Sequence, residues 1–225
     1  MDMFNFKVLA HVVSCSLILL AAQADAASFD CAKARSKVEK AICKDAELGK
    51  LDEQLSVAYK TALASHPLPK YVRARQKDWL VNNQYCDSKE LVACLRKAYV
   101  ERLEQLIVPK DIQVFANTKD FDYSAGDAVV EIVPLAGSVR FSVWGGFRML
   151  RHGPAAEEAN AKGKQLWFGC EFEGKLKGSG AQNAVGPNNT QVNFQIKGNK
   201  LIFEKGIDEK ICVSTGLLPD DFTKF

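Results

Sequence analysis

Glu171 and Glu173 stand two residues apart in an apolar run, so on a strand both carboxylates share one face. Two carboxylates flanking a glycosidic bond can serve as acid and base, or as acid and nucleophile. A solvated strand face accounts for the same spacing, and no surrounding pattern marks either group for a raised pKa. Glu157 and Glu158 are adjacent in a loop-like stretch and read as surface charge. Ser179 lies in Gly178-Ser179-Gly180, with no histidine close in sequence, and reads as a turn. The chain has no G-x-S-x-G elbow, no Walker loop and no H-E-x-x-H pair. No catalytic residue is assigned, and the chain is read as non-enzymatic, with no cofactor.

Cysteine offers the other reactive side chain. Seven are present, and Cys15 falls in a segment that reads as a leader rather than as fold. Lys7 precedes an apolar stretch over residues 8–22, and Ala24 and Ala26 put small residues where a signal peptidase cleaves. Residues 1–27 are therefore expected to be a signal peptide. Val12-Val13-Ser14-Cys15 loosely matches the box before a lipidated cysteine, which leaves anchoring at Cys15 as a minor alternative. No other apolar run approaches the roughly 20 residues of a membrane span. A periplasmic or secreted protein, not transmembrane, is the expectation.

Six cysteines then remain: Cys31, Cys43, Cys86, Cys94, Cys170 and Cys212. An even set on an exported chain points to disulfides. No C-x-x-C pair exists, and only His66 and His152 follow the leader, so no metal site is expected. Pairing would also consume any thiolate nucleophile.

The helices and strands that must position these groups divide the chain. From Ser28 to Lys110 there are 16 Lys and Arg against 11 Asp and Glu, a net of +5. From Asp111 to Phe225 the count is 13 against 14, a net of −1. The first half is helical in period. Ser36-x-x-Glu39 has capping-box spacing, ahead of Val38, Ala41 and Ile42. Leu48, Leu51, Leu55, Ala58, Tyr59 and Ala62 draw one stripe, which His66-Pro67-Leu68-Pro69 must interrupt. Val72, Gln76, Trp79, Leu80 and Asn83 line a third helix. Leu91, Leu95, Ala98, Tyr99, Arg102 and Leu106 line a fourth, with Asp87 or Ser88 placed to cap it. Four cysteines allow three connectivities. The local pairs Cys31–Cys43 and Cys86–Cys94 are favoured, since one member of each lies at a helix end and its mate is within reach of a short turn.

After Asp111 the pattern turns to short strands, expected at 112–115, 128–133, 139–144, 166–172, 191–196, 201–204 and 211–213. Lys197-Gly198-Asn199-Lys200 is a hairpin signal, and Gly186-Pro187-Asn188-Asn189 is a turn. Cys170 and Cys212 are expected to staple the sheet. Trp144, Phe147, Trp167, Phe168 and Phe172 would stack on sugar rings if exposed, whereas core packing is the plainer use of them. Asn188-Asn189-Thr190 is a glycosylation sequon, given no role behind a bacterial-type leader. The expected fold is α+β in two domains: a disulfide-stapled antiparallel helical domain at 28–108, then an antiparallel β sandwich or barrel at 109–225.

The helical half carries an ordered series of motifs. Phe29-Asp30-Cys31-Ala32-Lys33-Ala34 is followed by Val38-Glu39-Lys40-Ala41-Ile42-Cys43, then Leu48-x-x-Leu51-Asp52 and Tyr59. Gln76-x-x-Trp79-Leu80, Cys86, Cys94-Leu95, Tyr99 and Arg102 continue it. Over residues 28–106 this resembles the N-terminal domain of the LprI family of bacterial lysozyme inhibitors. Asn83 departs from the arginine usual in that family. The resemblance implies a cell-envelope protein that inhibits a lysozyme or another peptidoglycan-cleaving enzyme. Leu51, Asp52, Tyr59, Gln76, Trp79, Leu80, Leu95, Tyr99 and Arg102 are its motif positions here. Two other readings are an immunity-type protein neutralising a secreted toxin, and a glycan-binding envelope module.

Expected partners are thus a protein such as a lysozyme or toxin, or peptidoglycan or anionic envelope polymers, and no nucleic acid. Animal lysozymes are basic, so the near-neutral strand half, or an acidic patch at Asp120, Asp122 and Asp127, is the expected contact surface for one.

Overall fold

Ser36 accepts the Glu39 N–H at 3.1 Å while the Glu39 carboxylate takes the Ser36 N–H at 2.8 Å. This capping box starts α1 (Lys37–Lys44) as its spacing predicts. The computed structural model describes residues 27–86, 89–118, 127–148, 167–177, 182–204 and 221–225. Residues 1–26, and with them the expected leader and Cys15, lie outside that set.

Asp45 closes α1 and caps α2 (Ala46–Ser65), accepting the Leu48 N–H at 2.9 Å. Leu48, Leu55 and Ala62 are buried along the predicted stripe. The helix ends at His66-Pro67, and α3 (Pro69–Asn82) begins on Pro69, where a missing N–H costs no helical bond. A short 3₁₀ turn, Asn83–Tyr85, leads to α4 (Leu91–Gln105). Glu90 occupies the N-cap of α4 and makes no side-chain cap, while residues 87 and 88, expected there, lie outside the described set. Both local disulfides form: Cys31–Cys43 has its Cα atoms 5.7 Å apart, and Cys86–Cys94 has them 5.9 Å apart. The proposed Cys170–Cys212 staple falls outside the described side chains.

The strand half is a barrel, not a sandwich. It comprises β1 (Gln113–Ala116), β2 (Asp127–Leu135), β3 (Ser138–Arg148), β4 (Trp167–Leu176), β5 (Asn183–Val185), β6 (Gln191–Lys197), β7 (Lys200–Phe203) and β8 (Asp221–Lys224). Each strand pairs antiparallel with the next, and β8 returns to β1 through Phe115↔Lys224 and Ala116↔Thr223. Closure leaves no terminal strand with an open side. Gly198, at φ +61°, forms the two-residue turn between Lys197 and Lys200 that the hairpin signal requires. Two strands, β5 and β8, have no counterpart among the sequence expectations, and the run expected at 211–213 lies outside the described residues.

Alternation divides the sheet into two faces. Phe115, Val130, Phe141, Val143, Phe172, Phe194, Leu201 and Phe222 fill the barrel, with Phe141 stacked on Phe194 at 4.7 Å. The opposite face of β1–β3 carries Val114, Ala116, Val129 and Trp144, which join one continuous core with Leu48, Leu55, Tyr71, Val72 and Leu106. The helical unit and the barrel therefore share buried apolar surface. Among the described residues, no helix is long and apolar enough to cross a membrane.

Candidate functional site

The seam between helices and barrel collects most of the buried charge. Outward on β2, Glu131 is the one carboxylate in the run Ala128-Val129-Val130-Glu131-Ile132-Val133. Its register partner on β3 is Ser142, and Ser142 in turn faces Glu173 on β4. Trp144 likewise lies between Val129 and Glu171. The end of α2, the first turns of α3 and the end of α4 line this row.

Glu131 is buried and accepts three hydrogen bonds: from His66 Nε2 at 3.1 Å, Tyr71 Oη at 2.8 Å and Ser142 Oγ at 3.1 Å. His66 is held by the turn it begins, since the Leu68 N–H donates to its Nδ1 at 2.9 Å. That bond puts the ring proton on Nε2, facing the carboxylate. Burial alone would raise the Glu131 pKa. The His66 and Tyr71 donors and the Arg140 charge outweigh it and bring the carboxyl down to about 2. Burial and the Glu131 charge push the Tyr71 phenol well up.

Charged contacts flank this centre. Arg75 Nη2 meets Glu171 Oε1 at 2.6 Å, and its guanidinium lies 5.7 Å from the Trp144 ring centroid. Gln105 donates to Glu173 at 3.3 Å, and Arg140 reaches across to the carbonyls of Glu104 and Gln105. A cation on the last carbonyls of α4 complements that end of the helix. Arg102 is buried, with Nε on Gln76 and Nη1 on Gln105. Burial, then the nearby Arg75 charge, lower its pKa to about 10. The space among these side chains is about 30 Å³, room for about two water molecules.

As chemistry, this is a joint. Three donors occupy the Glu131 carboxylate, and the exposed Glu171 and Glu173 each contact a side chain of α3 or α4. A pH dependence follows. A carboxyl held below its unfolded value near 4.5 stabilises the fold above that pH, an advantage lost as pH falls through the lower folded value. Acid titration of unfolding free energy should show that loss in the wild type and not in Glu131→Gln. Equal acid sensitivity of the two proteins would refute it.

The motif positions sort differently. Asp52 is buried and accepts from the Ser28 N–H at 2.8 Å, the Ser28 hydroxyl at 2.6 Å and the Tyr99 hydroxyl at 2.7 Å. Burial, then the Asp52 contact, raise the Tyr99 phenol. Trp79 donates to the Ala98 carbonyl at 3.2 Å and meets Tyr99 edge-on at 4.9 Å. Leu95 is fully buried, and Leu51 and Tyr59 pack against the same core. Gln76 holds Arg102. These eight positions serve the fold.

Leu80 does not. Its side chain was expected on the packed stripe of α3, yet it is 55% exposed, next to Val81 at 45% and near Tyr85 at 81%. The helix turns it away because Trp79 and Asn83 take the inward positions, and Asn83 is buried at the C-cap.

Other candidates are corrected or fall outside. Trp144 is 6% exposed beneath Tyr71 and Arg75, so it cannot stack on a sugar; α3 covers that face of β3. Phe172 points into the barrel. Asp127 is 8% exposed and so is not a surface charge. Asp120, Asp122, Glu157, Glu158 and Ser179 lie outside the described residues, as do the side chains of Phe147, Trp167, Phe168 and Cys170. Among the described residues, no group of three His, Cys, Asp or Glu could hold a metal ion. Sequence reading missed His66, Tyr71 and Glu131 as partners. The available signal was a lone carboxylate in an otherwise apolar strand, which must find donors when buried.

No family model and no solved structure matches the chain. Curated relatives do, in part. The protein named Lipoprotein LprI, from Mycobacterium bovis and from Mycobacterium tuberculosis strains CDC 1551 and H37Rv, is 35% identical to this chain over 82 residues. That stretch is 36% of this chain, and it spans 41% of the length of those relatives. The chain therefore carries a partial resemblance to LprI, a lipoprotein, combined here with a closed eight-stranded barrel.

Proposed function

We propose that this is an exported, non-enzymatic protein of the bacterial cell envelope that binds and inhibits a lysozyme or another peptidoglycan-cleaving enzyme. The observations that carry the reading are the partial LprI resemblance, 35% identical over 82 residues, and the ordered motif series of the helical half. Of the nine motif positions quoted for that resemblance, Leu80 alone is exposed, and Val81 and Tyr85, close to it in sequence, are exposed as well. An exposed tyrosine in the turn after α3 suits the desolvated centre of a protein interface. With Asp127 buried, that residue does not contribute to an acidic contact surface.

The glycan-stacking alternative loses Trp144 as a platform. An immunity-type role keeps the same kind of surface with a toxin as partner.

The test is a lysozyme assay with the oxidised chain, free of residues 1–27, against animal and bacterial peptidoglycan hydrolases. The wild type should inhibit at least one, and Leu80→Ser with Tyr85→Ser should weaken inhibition by about tenfold or more. No inhibition at high molar excess of wild type would end this reading.

A further inference from the structure

A second surface on the helical unit has a different chemistry. Lys37, Lys40 and Lys44 recur at three and four residues along α1, and all three are exposed. They line one side of a wide, shallow groove of about 1150 Å³ that Ala41, Leu91, Val92 and Ala93 share. Lys89 and Arg96 add charge from the start of α4, against Asp45 and Glu90. That is five cations to two anions.

One of the two anions, Asp45, is engaged, and by Arg96, one of the five cations. Asp45 accepts the Leu48 N–H and two bonds from Arg96, at 3.0 and 2.8 Å. Arg96 also meets Glu47 at 2.6 Å. Lys40 and Lys44 make no ion pair among the described residues. Lys37 donates to the Cys86 carbonyl at 2.8 Å, which ties the end of α1 to the Cys86–Cys94 disulfide and fixes one end of the groove.

We infer that this groove is a docking site for a linear polyanion with repeating phosphate groups, the chemistry of phosphodiester-linked envelope polymers. Lysine ammonium groups act on phosphate as point charges. The three α1 lysines span about 10 Å along the helix, which calls for a chain of charges rather than one small anion. A basic lysozyme would be repelled here. The inference thus concerns a second partner and does not depend on enzyme inhibition.

Titration of labelled inorganic polyphosphate by fluorescence anisotropy tests it, across a range of salt concentrations. Lys40→Ala/Lys44→Ala/Lys89→Ala should weaken binding by about tenfold or more and flatten the salt dependence by about two charges. Lys70→Ala/Arg73→Ala/Lys77→Ala removes the same charge from the exposed face of α3 and should change affinity about twofold at most. Lys40→Arg/Lys44→Arg should restore binding, which separates charge from folding. Equal loss in the two triple-alanine variants would overturn the groove, as would absence of wild-type binding. Binding to phosphatidylglycerol vesicles but not to free polyphosphate would overturn the choice of partner.

Discussion

Glu131→Ala is expected to lower unfolding free energy by about 3–5 kcal/mol, the range for removing one partner of a buried charged network. The substitution removes the common acceptor of His66, Tyr71 and Ser142 and leaves their donors facing apolar surroundings. Those donors come from the end of α2, from α3 and from β3, so the loss falls on the seam and not on one element. Glu131→Gln keeps one carbonyl acceptor and the side-chain volume, and should cost about 1–3 kcal/mol. Urea unfolding, followed by far-UV circular dichroism and tryptophan fluorescence, measures both. The wild type should unfold with the two probes coincident. Glu131→Ala should shift the midpoint and pull the probes apart, because helices and barrel then lose their shared anchor. A change below about 1 kcal/mol would mean that the seam holds by apolar contact alone.

Combined Cys31→Ser and Cys86→Ser should cost more than either change alone, about 5 kcal/mol in total. Each disulfide closes a short loop, with sequence separations of 12 and 8. Loop-closure entropy assigns such bridges about 2.5–3 kcal/mol apiece. The two sites act on different joints: Cys31–Cys43 ties the 3₁₀ turn Cys31–Lys33 to α1, and Cys86–Cys94 ties the exit from α3 to the first turn of α4. A helical unit of this size buries too little surface to spare that amount. Thermal unfolding without reductant checks it. The double variant should melt far below the wild type, with helical signal lost before barrel signal. A double variant matching the wild type would show that the barrel seam, rather than the bridges, holds the helices.

How much of this was legible beforehand depends on whether the signal was local. The capping box at Ser36 and Glu39, the stop at His66-Pro67 and the hairpin at Gly198-Asn199 are written in adjacent residues, and all three occur as expected. The local disulfides were legible for the same reason. Barrel closure was not, because it depends on β8, Asp221–Lys224, whose four residues carry no apolar run and pair with β1 more than 100 residues away. Helical period placed Leu80 on the buried face, but one turn of α3 near its C-cap gives that direction to Trp79 and Asn83. Trp144 packs in the core, the plainer of its two readings, but α3 as its cover was not legible, because Tyr71 lies far away in sequence. Glu131 was passed over because its three donors lie 65, 60 and 11 residues away. Local chemistry specified elements and turns; the joint between the halves arises only from long-range contacts.

The direct measurement of the central claim is calorimetric titration of the oxidised mature chain into purified peptidoglycan hydrolases, run beside turnover assays on peptidoglycan. The account predicts a saturable complex with at least one hydrolase at micromolar affinity or tighter. It also predicts weakening of about tenfold or more in Leu80→Ser/Tyr85→Ser and no peptidoglycan cleavage by the chain itself. Peptidoglycan turnover by the chain, or no complex with any hydrolase tested, would contradict it.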